Sequence, residues 1–210
     1  MTYIACYSVA LNSMYLYVNG VKSVLTIHRP MTRDALMSAF GGESMAHLRY
    51  LLYAEIAEKE GFLNVARLFK AVAFSELVHA KNHYNKLKDL NTDAKVVAGT
   101  LFGLGNTSKN LDLAIQGEEF EVNEMYPVFI ETARLQGEKQ AEISFTWAFK
   151  VEKIHAELYK EAKSYVDNGR DLPLEGNIWV CPVCGYTQTG KEPSERCPIC
   201  GTLGNRFVKF

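Results

Sequence analysis

The sequence predicts an all-α four-helix bundle followed by a small C-terminal, metal-stapled β domain. Apolar residues recur at helical spacing from about residue 32 to residue 165, and four of the five cysteines form two Cys-x-x-Cys pairs near the end of the chain. With 210 residues the chain is long enough for one full core and one small appended module. We therefore expect two domains.

Residues 1–30 form an N-terminal extension to which the sequence assigns no role. The extension has no acidic side chain, and Lys22 and Arg29 are its only lysine and arginine, so it lacks the pattern of a signal peptide. Polar residues interrupt it too often for a membrane span. One hypothesis is that Met31 is the natural first residue, which the intact mass of the natural protein would test. Cys6 is expected to be a free thiol without a role.

Four helices are predicted within residues 31–168, at 33–60, 63–90, 109–136 and 138–167. Gly61 and Gly137 are suitable helix terminators, and Pro127 is expected to kink the third helix. Two short joints and one long crossover at 91–108 match the ferritin-like topology. A polar linker, 169–176, leads to the tail, 177–210, which is too short for a core of its own and needs a metal.

Every predicted helix places a glutamate on the stripe that should face the core. In the third helix this stripe runs on to Met125 and Val128. An uncompensated buried carboxylate costs several kcal/mol, so a set of buried carboxylates requires multivalent cations. The core-facing glutamates are Glu43, Glu76, Glu118, Glu121 and Glu152.

Two Glu-x-x-His motifs, at 76–79 and 152–155, bring an oxygen and a nitrogen ligand together within one helical turn. One glutamate from each of the other two helices, Glu43 and Glu118, completes the di-iron or di-manganese carboxylate pattern. The separations from Glu43 to the first motif and from Glu118 to the second are 33 and 34 residues. Such a repeat is expected of two helix pairs around a pseudo-twofold site.

Three further residues lie near this pattern without completing it. Glu121 is one turn beyond Glu118 on the same face and offers a metal an alternative ligand. His47 and His83 also lie on core-facing stripes, but no paired carboxylate accompanies them. We interpret both histidines as core or hydrogen-bonding residues rather than ligands.

The two cysteine pairs are separated by twelve residues, and a glycine follows each pair. Four thiolates in this arrangement form a tetrahedral site for zinc or a single iron. The tail alone does not decide between them, but a redox di-iron site needs electrons, which favours iron. The ligands are Cys181, Cys184, Cys197 and Cys200, with Trp179, Tyr186, Phe207 and Phe210 as the expected aromatic surroundings.

With both halves in view, residues 31–210 resemble the rubrerythrins, whose tail domain is rubredoxin-like. The resemblance lies in Ala39–Ala46, Arg49-Tyr50, Glu76–His79, Gly117-Glu118, Met125–Pro127, Glu152–His155 and both cysteine pairs.

The resemblance implies a role for each ligand. Glu76 and Glu152 would bridge two irons, and Glu43, Glu118 and His155 would be terminal ligands.

By the same resemblance, Glu121 and His79 would alternate on one iron, the carboxylate when oxidised and the imidazole when reduced. Ferric iron prefers anionic oxygen, whereas ferrous iron accepts neutral nitrogen. Tyr50 and Tyr126 would hydrogen-bond the ligand carboxylates and donate protons.

The resemblance also implies a non-haem di-iron peroxidase that reduces hydrogen peroxide in oxidative-stress defence. Electrons would come from NAD(P)H through a reductase or rubredoxin and would pass through the tail iron. We expect a cytoplasmic homodimer, head-to-tail or domain-swapped, on the premise that one chain cannot bring its tail to its own bundle. The net charge of −1 argues against a nucleic-acid partner, and no membrane association is expected.

Two other functions remain open at this point. A ferroxidase or iron-handling bundle would share the carboxylate pattern, and zinc or manganese could occupy a position in it. An electron-transfer or zinc-stapled scaffold would have no second metal in the bundle.

Overall fold

The computed structural model describes residues 29–91 and 93–210 with their side chains, and before them only the backbone of three strands. Strands β1 (Ile4–Ser8), β2 (Ser13–Val18) and β3 (Val21–Leu25) form an antiparallel sheet in that order. The thiol of Cys6 lies outside the described side chains, so the expectation for it stays a prediction.

The described residues form a four-rod bundle from five α-helical segments, because two of the segments are joined end to end by a π-helical turn at Glu121–Met125. The predicted all-α bundle with a small C-terminal β domain is confirmed. The segments are α1 (Pro30–Lys59), α2 (Leu63–Lys86), α3 (Thr107–Phe120), α4 (Tyr126–Leu135) and α5 (Lys139–Val166).

The two short joints of the bundle have the same construction. Gly61 has φ +88°, and the N–H of Phe62 donates to the Ala57 carbonyl at 2.9 Å. Gly137 has φ +74°, and the following N–H donates to the Ala133 carbonyl, also at 2.9 Å. Both are left-handed helix ends that satisfy otherwise unpaired carbonyls. Each joint reverses the direction of the chain, so that the helix after it packs on the helix before it.

The π-helical turn shifts the core-facing stripe of the third rod. Met125 is partly buried against the core, as predicted, but Val128 is 61% exposed, so the predicted stripe is wrong at Val128. The buried positions of α4 are instead Tyr126, Ile130 and Ala133. A π turn contains one residue more than an α turn, so every later side chain is displaced by one position. Pro127, where a kink was expected, directly follows this turn in the first turn of α4, where its missing N–H is tolerated.

The long crossover between α2 and α3 lies along α1, as the ferritin-like topology requires. The Tyr53 hydroxyl donates to the Gly103 carbonyl at 2.9 Å, and the Arg49 guanidinium donates to the Thr100 hydroxyl. A Cβ at Gly41 would collide with Val96, so this glycine lets the crossover approach the helix. The predicted second helix ends at Lys86 rather than at residue 90.

The tail forms a small antiparallel sheet that packs on α2 of the same chain. Strands β4 (Asn177–Val180), β5 (Thr187–Gly190) and β6 (Val208–Lys209) are ordered β5-β4-β6. Ile178 and Val180 are fully buried within the bundle's own hydrophobic cluster. The premise that one chain cannot bring its tail to its own bundle is therefore wrong.

The linker is fixed where it passes the start of α2. The Asp171 carboxylate accepts hydrogen bonds from the backbone N–H groups of Asn64 at 2.8 Å and of Val65 at 3.2 Å. It therefore satisfies donors that the helix itself leaves unpaired. Among the described residues, no helix combines the length and hydropathy needed to cross a lipid bilayer.

Replacing Gly61 by alanine should destabilise the bundle, whereas the same change at Gly42 should not. Of these two glycines only Gly61 has a positive φ, and in the part of the chain that the structure describes no atom lies within 4 Å of a Cβ added at either. A left-handed alanine costs about 1–2 kcal/mol. An alanine inside a helix is favoured over glycine by up to about 1 kcal/mol. The denaturation midpoint followed by helical circular dichroism should fall for Gly61→Ala and hold or rise for Gly42→Ala; equal midpoints would contradict this account.

Candidate metal centres

Four glutamates from four different rods meet in the bundle interior. Each is no more than 2% exposed, although a carboxylate is among the groups least often buried. The helical spacing places each of them on the inner face of its rod. They are Glu43 of α1, Glu76 of α2, Glu118 of α3 and Glu152 of α5.

The imidazole of His79 faces three of these carboxylates. Its Nδ1 lies 2.6 Å from Oε1 of Glu152, 3.0 Å from Oε2 of Glu76 and 3.7 Å from Oε1 of Glu43. One nitrogen cannot hydrogen-bond three oxygens at once. The convergence is that of ligand atoms around a common centre.

His155 repeats this arrangement on the other side. Its Nδ1 lies 2.7 Å from Oε2 of Glu152, 3.2 Å from Oε1 of Glu76 and 3.7 Å from Oε2 of Glu118. Glu76 and Glu152 thus each turn one oxygen toward each histidine. The site has a pseudo-twofold form in which two carboxylates are shared between two four-residue groups.

Protons compensate part of the buried negative charge. The pKa of Glu43 is raised to about 8, mainly by burial and in addition by the nearby carboxylates of Glu152 and Glu76. Burial likewise raises the pKa values of Glu118 and Glu121 well above the usual range. These three carboxyl groups favour their neutral form until a cation replaces the proton.

The remaining charges form ion pairs. Burial lowers the pKa values of His79 and His155, but Glu152 and Glu76 outweigh burial and raise both well above the usual range. The same imidazoles hold the pKa of Glu152 below its usual range against the effect of burial. Both imidazoles therefore favour the protonated form, and bound cations would replace these protons.

The residues fit a pair of metal ions. Each of the four glutamates keeps one buried oxygen without a hydrogen-bond partner among the described residues, although some of these oxygens lie near an imidazole nitrogen. A buried oxygen without a partner is costly, and two cations between the histidines would satisfy all four. Carboxylate and imidazole ligands suit iron and manganese.

Two tyrosines hydrogen-bond the two carboxylates that are not shared between the groups. They are Tyr50 and Tyr126, as the resemblance implied. The Tyr50 hydroxyl donates to Oε1 of Glu118 at 2.6 Å, and the Tyr126 hydroxyl donates to Oε1 of Glu43. Burial raises the pKa values of both phenols well above the usual range. Both therefore remain protonated donors.

A chain of hydrogen bonds extends behind Tyr126. His83 Nε2 lies 3.1 Å from the Tyr126 hydroxyl, and the Ser144 hydroxyl lies 3.0 Å from His83 Nδ1. Burial lowers the pKa of His83 to about 3, so this imidazole is neutral, with Nε2 as the donor. His83 thus supports Tyr126 rather than joining either ligand group.

Glu121 and His47 lie outside both groups. Glu121 is half-buried at the first position of the π turn, and the nearby ligand position is taken by His79. His47 Nδ1 lies 2.7 Å from the Ala73 carbonyl, on the helix-packing surface. The structure thus has the imidazole, and not the Glu121 carboxylate, at the site.

The four tail cysteines form the second centre. Sγ of Cys181 lies 3.6 Å from Sγ of Cys200, and Sγ of Cys184 lies 3.5 Å from Sγ of Cys197. A tetrahedral site with metal–sulfur bonds of about 2.3 Å has sulfur–sulfur edges of roughly 3.8 Å, so the spacing fits one ion.

The surroundings of the cysteines differ from the expectation at one position. Trp179, Tyr186 and Phe207 pack around the thiols, but Phe210 instead packs on Phe74 of α2, with ring centroids 5.6 Å apart. A bundle residue, Trp147 of α5, takes part in the cysteine cluster. Nothing in the sequence separates this tryptophan from an ordinary helix surface residue.

The two centres are joined through both histidines. His79 Nε2 lies 3.1 Å from the carbonyl oxygen of Cys184, which can only accept, so Nε2 carries the proton of this bond. His155 Nε2 lies 3.1 Å from the Thr187 hydroxyl, which itself donates to the Gly185 carbonyl. Metal-binding histidines commonly donate their outer N–H in this way, which fixes the ring and leaves the other nitrogen for the metal.

Further contacts hold the tail at this place. The buried Ser75 hydroxyl donates to the Gly185 carbonyl at 2.7 Å, and the Asn82 amide donates to the Val183 carbonyl at 2.8 Å. Gly185 has φ +82°, and a Cβ there would collide with both Ser75 and His79. Sequence reasoning missed Ser75, Asn82 and Thr187, because their partners are backbone carbonyls that carry no residue-specific signal.

A ferritin-like bundle with shared carboxylates, followed by a four-cysteine β domain, defines a class of two-centre iron proteins. Residues 34–163 match the family description Rubrerythrin, and residues 179–208 match Rubrerythrin, rubredoxin-like domain. The chain belongs to the rubrerythrin family. Its centres are accordingly a ferritin-like di-iron site and a four-cysteine, rubredoxin-like iron site.

Individual relatives agree over most of the chain. Rubrerythrin-2 of Clostridium acetobutylicum is 49% identical over 186 residues, covering 89% of this chain and all of that protein. Nigerythrin of Nitratidesulfovibrio vulgaris is 34% identical over 179 residues, covering 85% and 86% of the two chains. A solved structure of fully reduced, all-ferrous nigerythrin superposes with a TM-score of 0.75, at 32% identity and with 85% and 86% coverage.

Metal binding to the bundle should strengthen as the pH rises toward 8. The pKa of Glu43 is raised to about 8, so below that pH a proton must leave before this oxygen can bind a cation. Affinity should fall by up to about tenfold per pH unit for each proton displaced. Titration of the metal-free protein with Mn²⁺ at pH 6.0 and 7.5, with free Mn²⁺ measured by electron paramagnetic resonance, would give the affinity at each pH. Glu43→Gln should bind more weakly with a shallower pH dependence, and an affinity independent of pH would contradict the prediction.

Gly185→Ala should displace the tail from the bundle, because the new Cβ collides with Ser75 and His79. Gly201→Ala is the matched control: Gly201 occupies the same turn of the other cysteine pair at φ +77°, and none of the described residues has an atom within 4 Å of an added Cβ. Proteolytic cleavage within the linker 169–176 should accelerate by about tenfold or more only for Gly185→Ala. Equal cleavage of the two variants would show that the contact does not hold the tail.

Proposed function

We propose that the protein is a non-haem di-iron peroxidase that reduces hydrogen peroxide to water with electrons relayed through the four-cysteine iron centre. One observation carries the proposal: the imidazole of His79 lies in the carboxylate site and also hydrogen-bonds the four-cysteine centre. Its Nδ1 faces the buried carboxylates, and its Nε2 donates to the carbonyl of Cys184, a residue that supplies one of the four sulfurs.

The contact supplies a short route for electrons. From Sγ of Cys184 the route follows the covalent bonds of that residue to its carbonyl and then crosses one hydrogen bond of 3.1 Å to the imidazole. Trp147 packs against the cysteine cluster and helps to keep water from it. A site that only oxidised and stored iron would not need an electron input, so the contact favours the peroxidase over a ferroxidase.

The residues of the two ligand groups would have distinct roles in this reaction. Glu76 and Glu152 would bridge two irons, since each offers one oxygen to each side, and Glu43, Glu118 and His155 would be terminal ligands. When bound, two ferrous ions supply the two electrons and polarise the O–O bond.

Glu121 and His79 would exchange at one iron. In this structure His79 is the residue at that ligand position, and Glu121 lies outside it, at the start of the π turn. The carboxylate would return when the iron becomes ferric, because a more highly charged ion favours anionic oxygen.

Tyr50 and Tyr126 would hold protons next to the reacting oxygens. Each phenol donates to a terminal carboxylate, and burial keeps it protonated. A proton passed to a leaving oxygen from Tyr126 could be replaced along the chain through His83 and Ser144.

We further propose NAD(P)H, through a reductase or a rubredoxin, as the electron source, and the cytoplasm as the location, since free thiolates need a reducing compartment. A homodimer also belongs to this proposal. Exchanged tails are not needed for the electron route, because the tail already contacts the bundle of its own chain. Light scattering of the purified protein would test for the dimer.

Cys181→Ser should abolish NADH-driven peroxide consumption and leave the bundle irons in place, because the sulfur set lies outside the carboxylate groups. Peroxide should still oxidise the chemically reduced bundle of this variant in a single turnover. Cys6→Ser, the same change outside the tail, should keep full turnover.

The same experiment separates the alternatives. NADH-driven turnover by Cys181→Ser at the wild-type rate would refute the relay through the tail. Faster oxidation of the reduced wild-type protein by dioxygen than by peroxide would favour a ferroxidase, and a bundle without metal would leave only the scaffold function.

A further inference from the structure

A cavity of about 750 Å³ lies beside the carboxylate site, between α1, the crossover and the π turn. Cavities of roughly 300–1,000 Å³ typically bind small organic molecules, and hydrogen peroxide needs far less space. Much of the cavity wall is apolar, with Phe120, Met125 and Phe129 among the lining residues. The cavity is therefore larger and more apolar than peroxide alone requires.

The inner end of the cavity lies next to the metal site, although the residues of the two ligand groups do not themselves line it. Glu121 forms part of the wall, and so does Gly117. A Cβ at Gly117 would lie 3.7 Å from the Tyr50 hydroxyl, which in turn donates to Glu118. A molecule in the cavity can thus place a polar end next to the ligands.

One buried donor in the wall lacks a partner. The guanidinium of Arg49 donates through Nη1 to Thr100 and to the Leu101 carbonyl, but its buried Nε has no hydrogen-bond partner among the described residues. A buried donor without a partner destabilises the fold unless a ligand oxygen completes it.

Gly42 keeps another part of the wall open. It lies inside α1, where glycine is unfavourable, yet no atom of the described residues lies within 4 Å of a Cβ built on it. Its neighbour Gly41 differs, since there the crossover occupies the space. The missing side chain at Gly42 therefore serves the cavity rather than helix packing.

We propose that this cavity binds organic hydroperoxides, with the hydrocarbon group against Phe120, Met125 and Phe129 and the hydroperoxide group between Arg49 and Glu121. The inference rests on the proposed peroxidase function and names a second substrate class for the same site. The O–O bond breaks, two electrons from the NAD(P)H-fed centres and two protons are taken up, and the products are one alcohol and one water.

The test compares cumene hydroperoxide with hydrogen peroxide on the full-length, iron-loaded protein. Val128→Trp introduces a bulky ring at the exposed part of the cavity wall, and Leu135→Trp, on the same helix but outside the cavity, is the matched control. We expect cumene hydroperoxide to be reduced to its alcohol. Val128→Trp should lower the ratio of kcat/KM for cumene hydroperoxide to that for hydrogen peroxide by about tenfold, and Leu135→Trp should leave the ratio unchanged.

Binding gives a readout independent of turnover. Equilibrium dialysis of the product alcohol, 2-phenyl-2-propanol, against the oxidised holoprotein should show saturable binding that is lost in Gly42→Phe and in Val128→Trp. Saturable binding that survives both changes would overturn the inference. Reduction of hydrogen peroxide but not of cumene hydroperoxide would also overturn it and leave the peroxidase standing, whereas reduction of neither would overturn both.

Discussion

The interior of the bundle depends on compensating the negative charge of carboxylates that four helical rods bury together. Along α1, Leu36 and Ala39 belong to one hydrophobic cluster and Ala46 and Tyr50 to another, and Glu43 lies between them. The apolar core is thus divided by a charged layer. Because the four glutamates of this layer are almost fully buried, protons, imidazolium groups or metal ions must balance their charge. The tyrosines and the tail contacts are arranged around that requirement.

Much of the fold and of the ligand set follows from side-chain periodicity. Glutamates 76 and 152, with a histidine one turn later, could be placed because helical spacing alone determines which residues share a face. The cysteine pairs were equally clear, since four thiols at that spacing have few other uses. The topology followed from loop lengths.

Other features could not be read from the sequence for physical reasons. The π turn breaks the constant helical spacing, so the periodicity predicts Val128 in the core, whereas Tyr126 occupies that position. The position of the tail depends on hydrogen bonds to the carbonyls of Cys184 and Gly185, and every residue has a carbonyl. Phe210 packs on α2 because the chain end pairs with Ile178, a long-range contact without a local pattern.

The π turn also divides the third rod into two halves with different angular phases. One additional residue rotates everything after it by roughly 100° about the helix axis. The half before the turn directs Glu118 toward the ligands, and the half after it directs Tyr126 to the partner carboxylate on the opposite side. In α1, an uninterrupted α-helix, seven residues separate Glu43 from Tyr50, the donor to Glu118, whereas eight residues separate Glu118 from Tyr126 in the third rod. The π turn absorbs the additional residue, so that the third rod matches α1. The irregular turn therefore makes the symmetry of the site possible.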